Sequence, residues 1–130
     1  MKVAIFSNTQ ELSTAAIARI DNLIKLNAQI LIGDANVDRP IQEYLYSKAY
    51  PQVTVYHSGK KSKVNVGYPE KGGYVSSGVR DIELCKLADY GLAIGTSAQI
   101  KKNITSIGSD RVRLVVIAPI QDLCPVLVAA

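Results

Sequence analysis

The stretch Val3-Ala4-Ile5-Phe6-Ser7-Asn8-Thr9 decides the fold class, because a short continuous apolar run stops abruptly at small polar residues. A run that ends in this way is typical of a strand buried on both faces of a parallel sheet. The pattern recurs along the chain at positions 29–32, 53–56, 92–94 and 112–118. We therefore predict five strands of a parallel sheet.

Helical periodicity separates these apolar runs. Apolar residues recur at helical spacing from position 12 to 27, and Pro40 suits the first turn of a second helix. A third helix is predicted to start at Asp81, and a fourth to span 98–107. Strand–helix alternation with right-handed crossovers predicts a single α/β domain over residues 1–130. Its architecture is a Rossmann-like, doubly wound parallel sheet with strand order 3-2-1-4-5 and helices on both faces.

Composition and charge exclude several classes of protein. The 130 residues are 48% apolar with a net charge of +4, which excludes intrinsic disorder. The mild positive charge suits a small phosphorylated ligand better than a long nucleic-acid groove. Cys85, Cys124 and the single His57 do not form a zinc-ligand set. No apolar stretch approaches the ~18 residues of a membrane span, so we expect a cytoplasmic protein without metal, cofactor or membrane partner.

The turns after the predicted strands carry the candidate ligand-binding residues, since ligands of such sheets bind beyond the carboxyl ends of the strands. Small hydroxyl, amide and glycine residues dominate these turns: Ser7, Asn8 and Thr9; Gly33, Asp34 and Asn36; and Gly95, Thr96 and Ser97. Backbone N–H groups at the helix starts after Thr9 and Ser97 could bind a phosphate. The same side chains could instead cap those helices.

Asp34 is the most specific single candidate for ligand binding, because an acidic residue directly after the second strand can accept hydrogen bonds from both ribose hydroxyls of a nucleotide. Asp38 lies one turn further on and is interpreted as a cap of the helix that contains Pro40. If the protein is an enzyme, Asp34 or Asp81 is the candidate catalytic carboxylate. Asp81 and Glu83 are two positions apart on a helix and do not form a natural acid–base pair.

A segment rich in glycine, proline and lysine occupies positions 57–78 and is predicted to be irregular. A charge run such as Lys60-Lys61-Ser62-Lys63 is usually a solvated loop. Long irregular segments in small domains are also used as binding loops, so a lysine-bearing flap over phosphates is the second interpretation. No RNA-binding motif accompanies the tyrosines around it, and we do not expect a nucleic-acid partner.

Several segments, in the same order, resemble small bacterial proteins of the SLOG superfamily, which groups the DprA- and LOG-like Rossmannoid proteins. The similar segments are 31–36 with Asp38, 41–45, Tyr50 with 53–56, Asn65 with Gly67, Asp81 with 88–91, and Ser97 with Asn103-Ile104. The resemblance implies a Rossmann-like fold that binds nucleotides or ADP-ribose-like molecules. Lys63, Asn65 and Arg80 complete the candidate ligand-binding residues.

The chain departs from the family where the family's chemistry lies. Relatives often carry Gly-Ser-Arg after the first strand, where this chain has Ser7-Asn8-Thr9, and an arginine before the asparagine loop, where it has Lys63-Val64. Gln99-Ile100 replaces the family's Gly-Thr phosphate turn, and the Pro-Gly-Gly-x-Gly-Thr-x-x-Glu motif of LOG phosphoribohydrolases is absent. We therefore expect a protein that binds a nucleotide or ADP-ribose-type molecule as a sensor or sequesters it.

Two alternatives stay open from the sequence. An N-glycosidic hydrolase or transferase acting on nucleoside monophosphates would use Asp34 or Asp81 to stabilise positive charge on the sugar. An oligomeric interaction protein would self-associate through the apolar tail at 125–130 or through a helix face. We expect a homo-oligomer.

Overall fold

Residues 1–95, 107–108 and 111–115 are described by a computed structural model of the chain. The strands within these residues are β1 Lys2–Ser7, β2 Gln29–Gly33, β3 Val53–Ser58, β4 Glu70–Tyr74, β5 Tyr90–Ile94 and β6 Val112–Val115. They form one sheet in the order β4-β3-β2-β1-β5-β6. Every neighbouring pair is parallel, so all the carboxyl ends lie at one edge of the sheet.

The predicted fold class is confirmed. The five predicted strands correspond to β1, β2, β3, β5 and β6, and their order in the sheet is the predicted 3-2-1-4-5. At the centre, Ile5 is in register with Ile32 on one side and Leu92 on the other, and all three are buried. Both faces of these strands are covered, which explains why their apolar runs are continuous. Positions 116–118 of the predicted fifth strand lie outside the described residues.

Strand β4 corrects the prediction that positions 57–78 are irregular throughout. Four of its five residues are exposed, and only Tyr74 is half-buried. An edge strand pairs on one side only, so backbone hydrogen bonds to β3 hold it without an apolar side-chain pattern. Gly72 is required there, because a Cβ at this position would overlap the backbone carbonyl of His57.

The described helices are α1 Thr14–Lys25, α2 Arg39–Ser47 and α3 Ser77–Leu87, and a 3-10 helix at Asn36–Asp38 precedes α2. Two predicted starts are wrong because a serine hydroxyl sets each boundary instead. Ser13 caps α1 by accepting from the Ala16 N–H at 3.1 Å, and Ser76 caps α3 by accepting from the Val79 N–H at 3.2 Å. The predicted fourth helix, 98–107, lies outside the described residues except at Ile107.

Helices pack on both faces of the sheet, as predicted. α1 and α2 contribute Ala16, Ile20, Ile41 and Leu45 to an apolar cluster that contains Val3 and Ile5 of β1. α3 contributes Leu84 and Cys85 to a cluster on the opposite face, with Ala4 and Phe6 of β1. Cys85 is the buried thiol that its position predicted, and burial raises its pKa to about 11. Within the described part of the chain, no helix has the length and apolar character needed to cross a membrane.

Candidate functional site

The winding of the sheet reverses between β1 and β5, and the turns after these two strands meet there. The Asn8 N–H donates to the Ile94 carbonyl at 3.2 Å, and Asn8 itself is exposed. Gly95 follows β5 with φ +92°, and a Cβ at this position would overlap Asn8 Oδ1. The structure therefore brings Asn8 and Gly95 together at the edge where ligands of such sheets bind.

Ser7 and Thr9 shape the turn after β1. The Ser7 hydroxyl donates to the Thr9 carbonyl at 3.0 Å and accepts from the Thr9 N–H at 3.2 Å. The Thr9 hydroxyl accepts from the Glu11 N–H at 3.1 Å. The helix predicted from position 12 begins instead at Thr14, after the Ser13 cap. The free N–H groups of α1 are therefore displaced along the chain from the predicted phosphate position.

Arg80 joins two of the candidate carboxylates beneath the neighbouring turn. Its Nη1 lies 2.7 Å from Asp34 Oδ1, and its Nη2 lies 2.9 Å from Asp81 Oδ1. The second oxygen of Asp34 accepts from the Lys63 N–H at 2.9 Å. All three side chains are buried, with Asp34 only 1% exposed. Asp34 thus connects α3 to the segment after β3, and a ribose hydroxyl would have to share its oxygens with these groups.

Asp38 completes this buried group, which we name the Arg80 cluster (Asp34, Asp38, Arg80 and Asp81). Its carboxylate accepts from the Ala35 N–H at 2.9 Å and opens the 3-10 helix. Asp38 occupies the predicted N-cap position of α2, but its side chain makes no cap hydrogen bond to that helix. Burial raises the pKa of Asp38 to about 6, although the Ala35 N–H and the Arg80 charge act in the opposite direction.

The charge balance of the Arg80 cluster favours the charged guanidinium. Burial alone would lower the pKa of Arg80, but the charges and hydrogen bonds of its carboxylate neighbours reverse the effect and raise it. Gly33 permits this packing, because a Cβ there would lie 2.8 Å from both Arg80 Cζ and Asp38 Oδ2. Among the described residues, no group of three histidine, cysteine or acidic side chains is placed to hold a metal ion.

Gln42 was not predicted from the sequence and is completely buried. Its Nε2 donates to the Gly33 carbonyl at 2.9 Å and to the Val64 carbonyl at 3.2 Å, and its Oε1 accepts from the Val66 N–H at 3.2 Å. One side chain of α2 therefore fixes both the end of β2 and the segment after β3. The available signal was its position between Ile41 and Leu45, on the apolar face of α2.

The lysine loop, residues 59–69, leaves the carboxyl end of β3 and carries Lys60, Lys61 and Lys63 with exposed side chains. Asn65 closes a turn within it: Oδ1 accepts from the Gly67 and Tyr68 N–H groups at 3.0 and 2.8 Å. Its Nδ2 donates to the Tyr68 carbonyl at 2.7 Å and to Glu70 Oε2 at 2.9 Å, and this second bond lowers the pKa of Glu70.

Two further residues lie at this edge, the candidate Asn36 and the single histidine of the chain. Asn36 is exposed on the 3-10 helix. His57 is buried within β3, and its Nδ1 lies 3.1 Å from the Gly59 carbonyl. Thr96 and Ser97 lie outside the described residues. The ligand-binding roles of all the predicted residues stay predictions.

Comparison with known proteins shows the fold alone. No protein-family model and no curated protein matches the chain. The structure is similar to the X-ray structure of TM1055, a target of the Northeast Structural Genomics Consortium, with a TM-score of 0.58 and 15% sequence identity. The match covers 83% of this chain and 68% of that one. The two share a Rossmann-like α/β fold, which agrees at that level with the SLOG resemblance of the sequence.

Proposed function

We propose that the protein binds a small phosphorylated, nucleotide-like ligand at the carboxyl edge of the sheet, and that it acts as a sensor or sequesters that ligand. The observation that carries the proposal is the meeting of Asn8 and Gly95 where the winding reverses. Gly95 has no Cβ, and the Asn8 amide oxygen lies in the space that a Cβ would take. The Asn8 side chain thus brings an amide, a group with both a donor and an acceptor, to this edge of the sheet.

The Arg80 cluster supports the proposal by fixing the neighbouring part of the edge. Arg80, Asp34 and Gln42 tie the turn after β2 and the lysine loop to two helices. A pre-organised edge loses less conformational entropy when a ligand binds. The exposed lysines of the loop lie on the same edge and supply positive charge for a phosphate.

Native mass spectrometry of the purified protein tests the proposal directly. We expect an intact phosphorylated small molecule at stoichiometric occupancy, or saturable binding when nucleoside monophosphates, nucleoside diphosphates and ADP-ribose are added in turn. Ligand recovered unchanged supports a binding protein. Release of free base or ribose phosphate would establish turnover instead. Absence of binding to every compound in the panel would contradict the proposal.

A matched pair of double variants locates the binding edge. Replacing Lys60 and Lys61 with alanine removes two exposed charges from the lysine loop, and we expect affinity for the phosphorylated ligand to fall by roughly tenfold or more. Replacing Lys2 and Lys25 with alanine removes the same charge from the amino edge of the sheet, where β1 begins and α1 ends. Equal losses in the two double variants would place the ligand elsewhere or assign the effect to net charge.

The glycosidic-bond alternative gains no support from the two candidate carboxylates. Asp34 and Asp81 are both buried, and both form ion pairs with Arg80.

Self-association is the second part of the proposal. It is supported by exposed apolar side chains on and beside α3, where Val75 is 90%, Val79 41% and Ile82 52% exposed. Light scattering at several concentrations tests it, and a monomer mass throughout would contradict it.

A further inference from the structure

A concave surface lies at the amino edge of the sheet, opposite the candidate site. It is a groove of about 470 Å³ between α1 and the ends of β1 and β5. Its principal side chains are Arg19, Leu23 and Leu26 of α1, Tyr90 and Leu92 of β5, and Arg111. Leu26 is 56% and Tyr90 47% exposed, so the groove presents large apolar side chains to solvent. Exposed apolar surface of this kind marks a contact with another segment or molecule.

We propose that the groove is the docking site of residues 116–130 of the same chain. These residues follow β6 directly, and only Gln121 and Asp122 among them are polar. Thirteen apolar or proline side chains in a row of fifteen require an apolar surface to cover them. The groove supplies that surface on the face of the sheet that α1 occupies.

The length of the segment is sufficient for this contact. Val115 pairs with Ile94, whereas the groove begins at Leu92 and extends to Tyr90. At the strand rise of about 3.3 Å per residue, that distance along the sheet is roughly 7–13 Å. Fifteen residues span about 22 Å even at the short rise of a helix. The segment can therefore turn back and cover the groove within one molecule.

Charge complementarity favours this occupant. Arg19 and Arg111 line the groove and are exposed, and no acidic residue is among its described lining. Arg111 is held in place by hydrogen bonds to the backbone carbonyls of Asp89, at 3.2 Å, and Ile107. Asp122 is the one charged side chain in 116–130. Its carboxylate is the group that two arginines at the groove would attract.

Alkylation of Cys124 in the intact chain tests the proposal, because this thiol lies in the segment. The other thiol, Cys85, is buried with its pKa raised to about 11, so we expect it to be alkylated slowly in the folded protein. Peptide mapping then measures the alkylation of Cys124 separately from that of Cys85. We expect Cys124 in the native protein to react at least about tenfold more slowly than in urea-unfolded protein. Equal rates would overturn the proposal.

Two groove variants with matched controls identify the surface. Leu26→Asp and Arg19→Glu should each release the protection of Cys124, whereas Tyr46→Asp and Arg39→Glu, which make the same charge changes at exposed positions away from the groove, should not. Arg19→Glu keeps the test valid if Leu26→Asp fails to fold. Protection that survives both groove variants would overturn the proposal. Dilution is the second check. If protection of Cys124 is lost as the mass changes from dimer to monomer, the segment that covers the groove belongs to a second copy of the chain, and the proposal is overturned.

Discussion

Arg80 Nη1 lies 2.7 Å from Asp34 Oδ1, and this ion pair joins α3 to the turn after β2 across 46 positions of sequence. Both side chains are buried, so neither charge can be hydrated if the other is removed. Asp34 uses its second oxygen to hold the Lys63 N–H, and Arg80 uses its remaining nitrogens to hold Asp81. The pair therefore sets the relative positions of three segments of the candidate site.

Removing the guanidinium should destabilise the protein strongly. Arg80→Leu leaves the carboxylates of Asp34, Asp38 and Asp81 buried without this guanidinium. We expect the free energy of unfolding in urea to fall by about 3–5 kcal/mol at pH 7, the usual cost of breaking a buried ion pair. Arg39→Leu, at an exposed position, is the control and should change the free energy of unfolding by less than about 1 kcal/mol. A comparable small loss in Arg80→Leu would show that the cluster is dispensable.

Asp38 should make the stability of the protein depend on pH. Its pKa is raised from 3.8 to about 6 in the folded state, so the folded protein holds this proton more tightly than the unfolded chain. The resulting stabilisation is fully present below pH 3.8 and is lost as the pH rises through 6. We expect the stability of the wild type relative to Asp38→Asn to fall by up to about 3 kcal/mol between pH 4 and pH 7. A difference that does not change with pH, or that changes in the opposite direction, would contradict the assignment.

Gln42 should contribute to stability through its hydrogen bonds rather than its volume. Gln42→Leu fills a similar space but leaves the Gly33 carbonyl, the Val64 carbonyl and the Val66 N–H without this partner. We expect a loss of about 2–4 kcal/mol in urea unfolding, together with faster hydrogen exchange at Val66. Glu43→Leu, at the exposed neighbouring position, is the control. Unchanged exchange at Val66 would indicate that the amide does not hold the lysine loop.

Gly95 and Asn8 should show coupled effects. Gly95→Ala places a Cβ where Asn8 Oδ1 lies and forces alanine to adopt φ +92°. Backbone strain of this kind costs about 1–2 kcal/mol, and the overlap adds to it. In the double variant with Asn8→Ala, the overlap disappears while the strain remains. We therefore expect Asn8→Ala to restore only part of the stability that Gly95→Ala removes, as measured by urea unfolding in a double-mutant cycle. Strictly additive effects of the two substitutions would mean that the two residues do not touch.

The sheet could be predicted from the sequence because strands buried on both faces require continuous apolar runs, such as 3–6 and 29–32. Strand β4 has no apolar run of this kind. Its sequence, Glu-Lys-Gly-Gly-Tyr, pairs through backbone groups at an exposed edge, and backbone hydrogen bonds impose no pattern on side chains. The glycines there instead indicated an irregular segment.

The candidate site was predictable in its location but not in its contacts. The turns after β1, β2 and β5 follow from strand order alone, and Asp34 and Gly95 are the first residues after β2 and β5. The ion pair of Asp34 depends on how α3 returns across the sheet, and local sequence carries no information about a partner that far along the chain. The pKa of Asp38 is likewise set by burial, which only the assembled fold determines.

Strand β4 also determines how the sheet ends. An edge strand offers unsatisfied backbone groups to any other chain, and long, flat, apolar edges start aggregation. Here the edge is short and begins with opposite charges at Glu70 and Lys71. The positive φ angles of Gly72 and Gly73, +146° and +85°, then turn its peptide groups out of a regular ladder. An incoming strand therefore finds neither a flat hydrogen-bonding row nor an apolar face, which protects the protein against fibril growth at this edge.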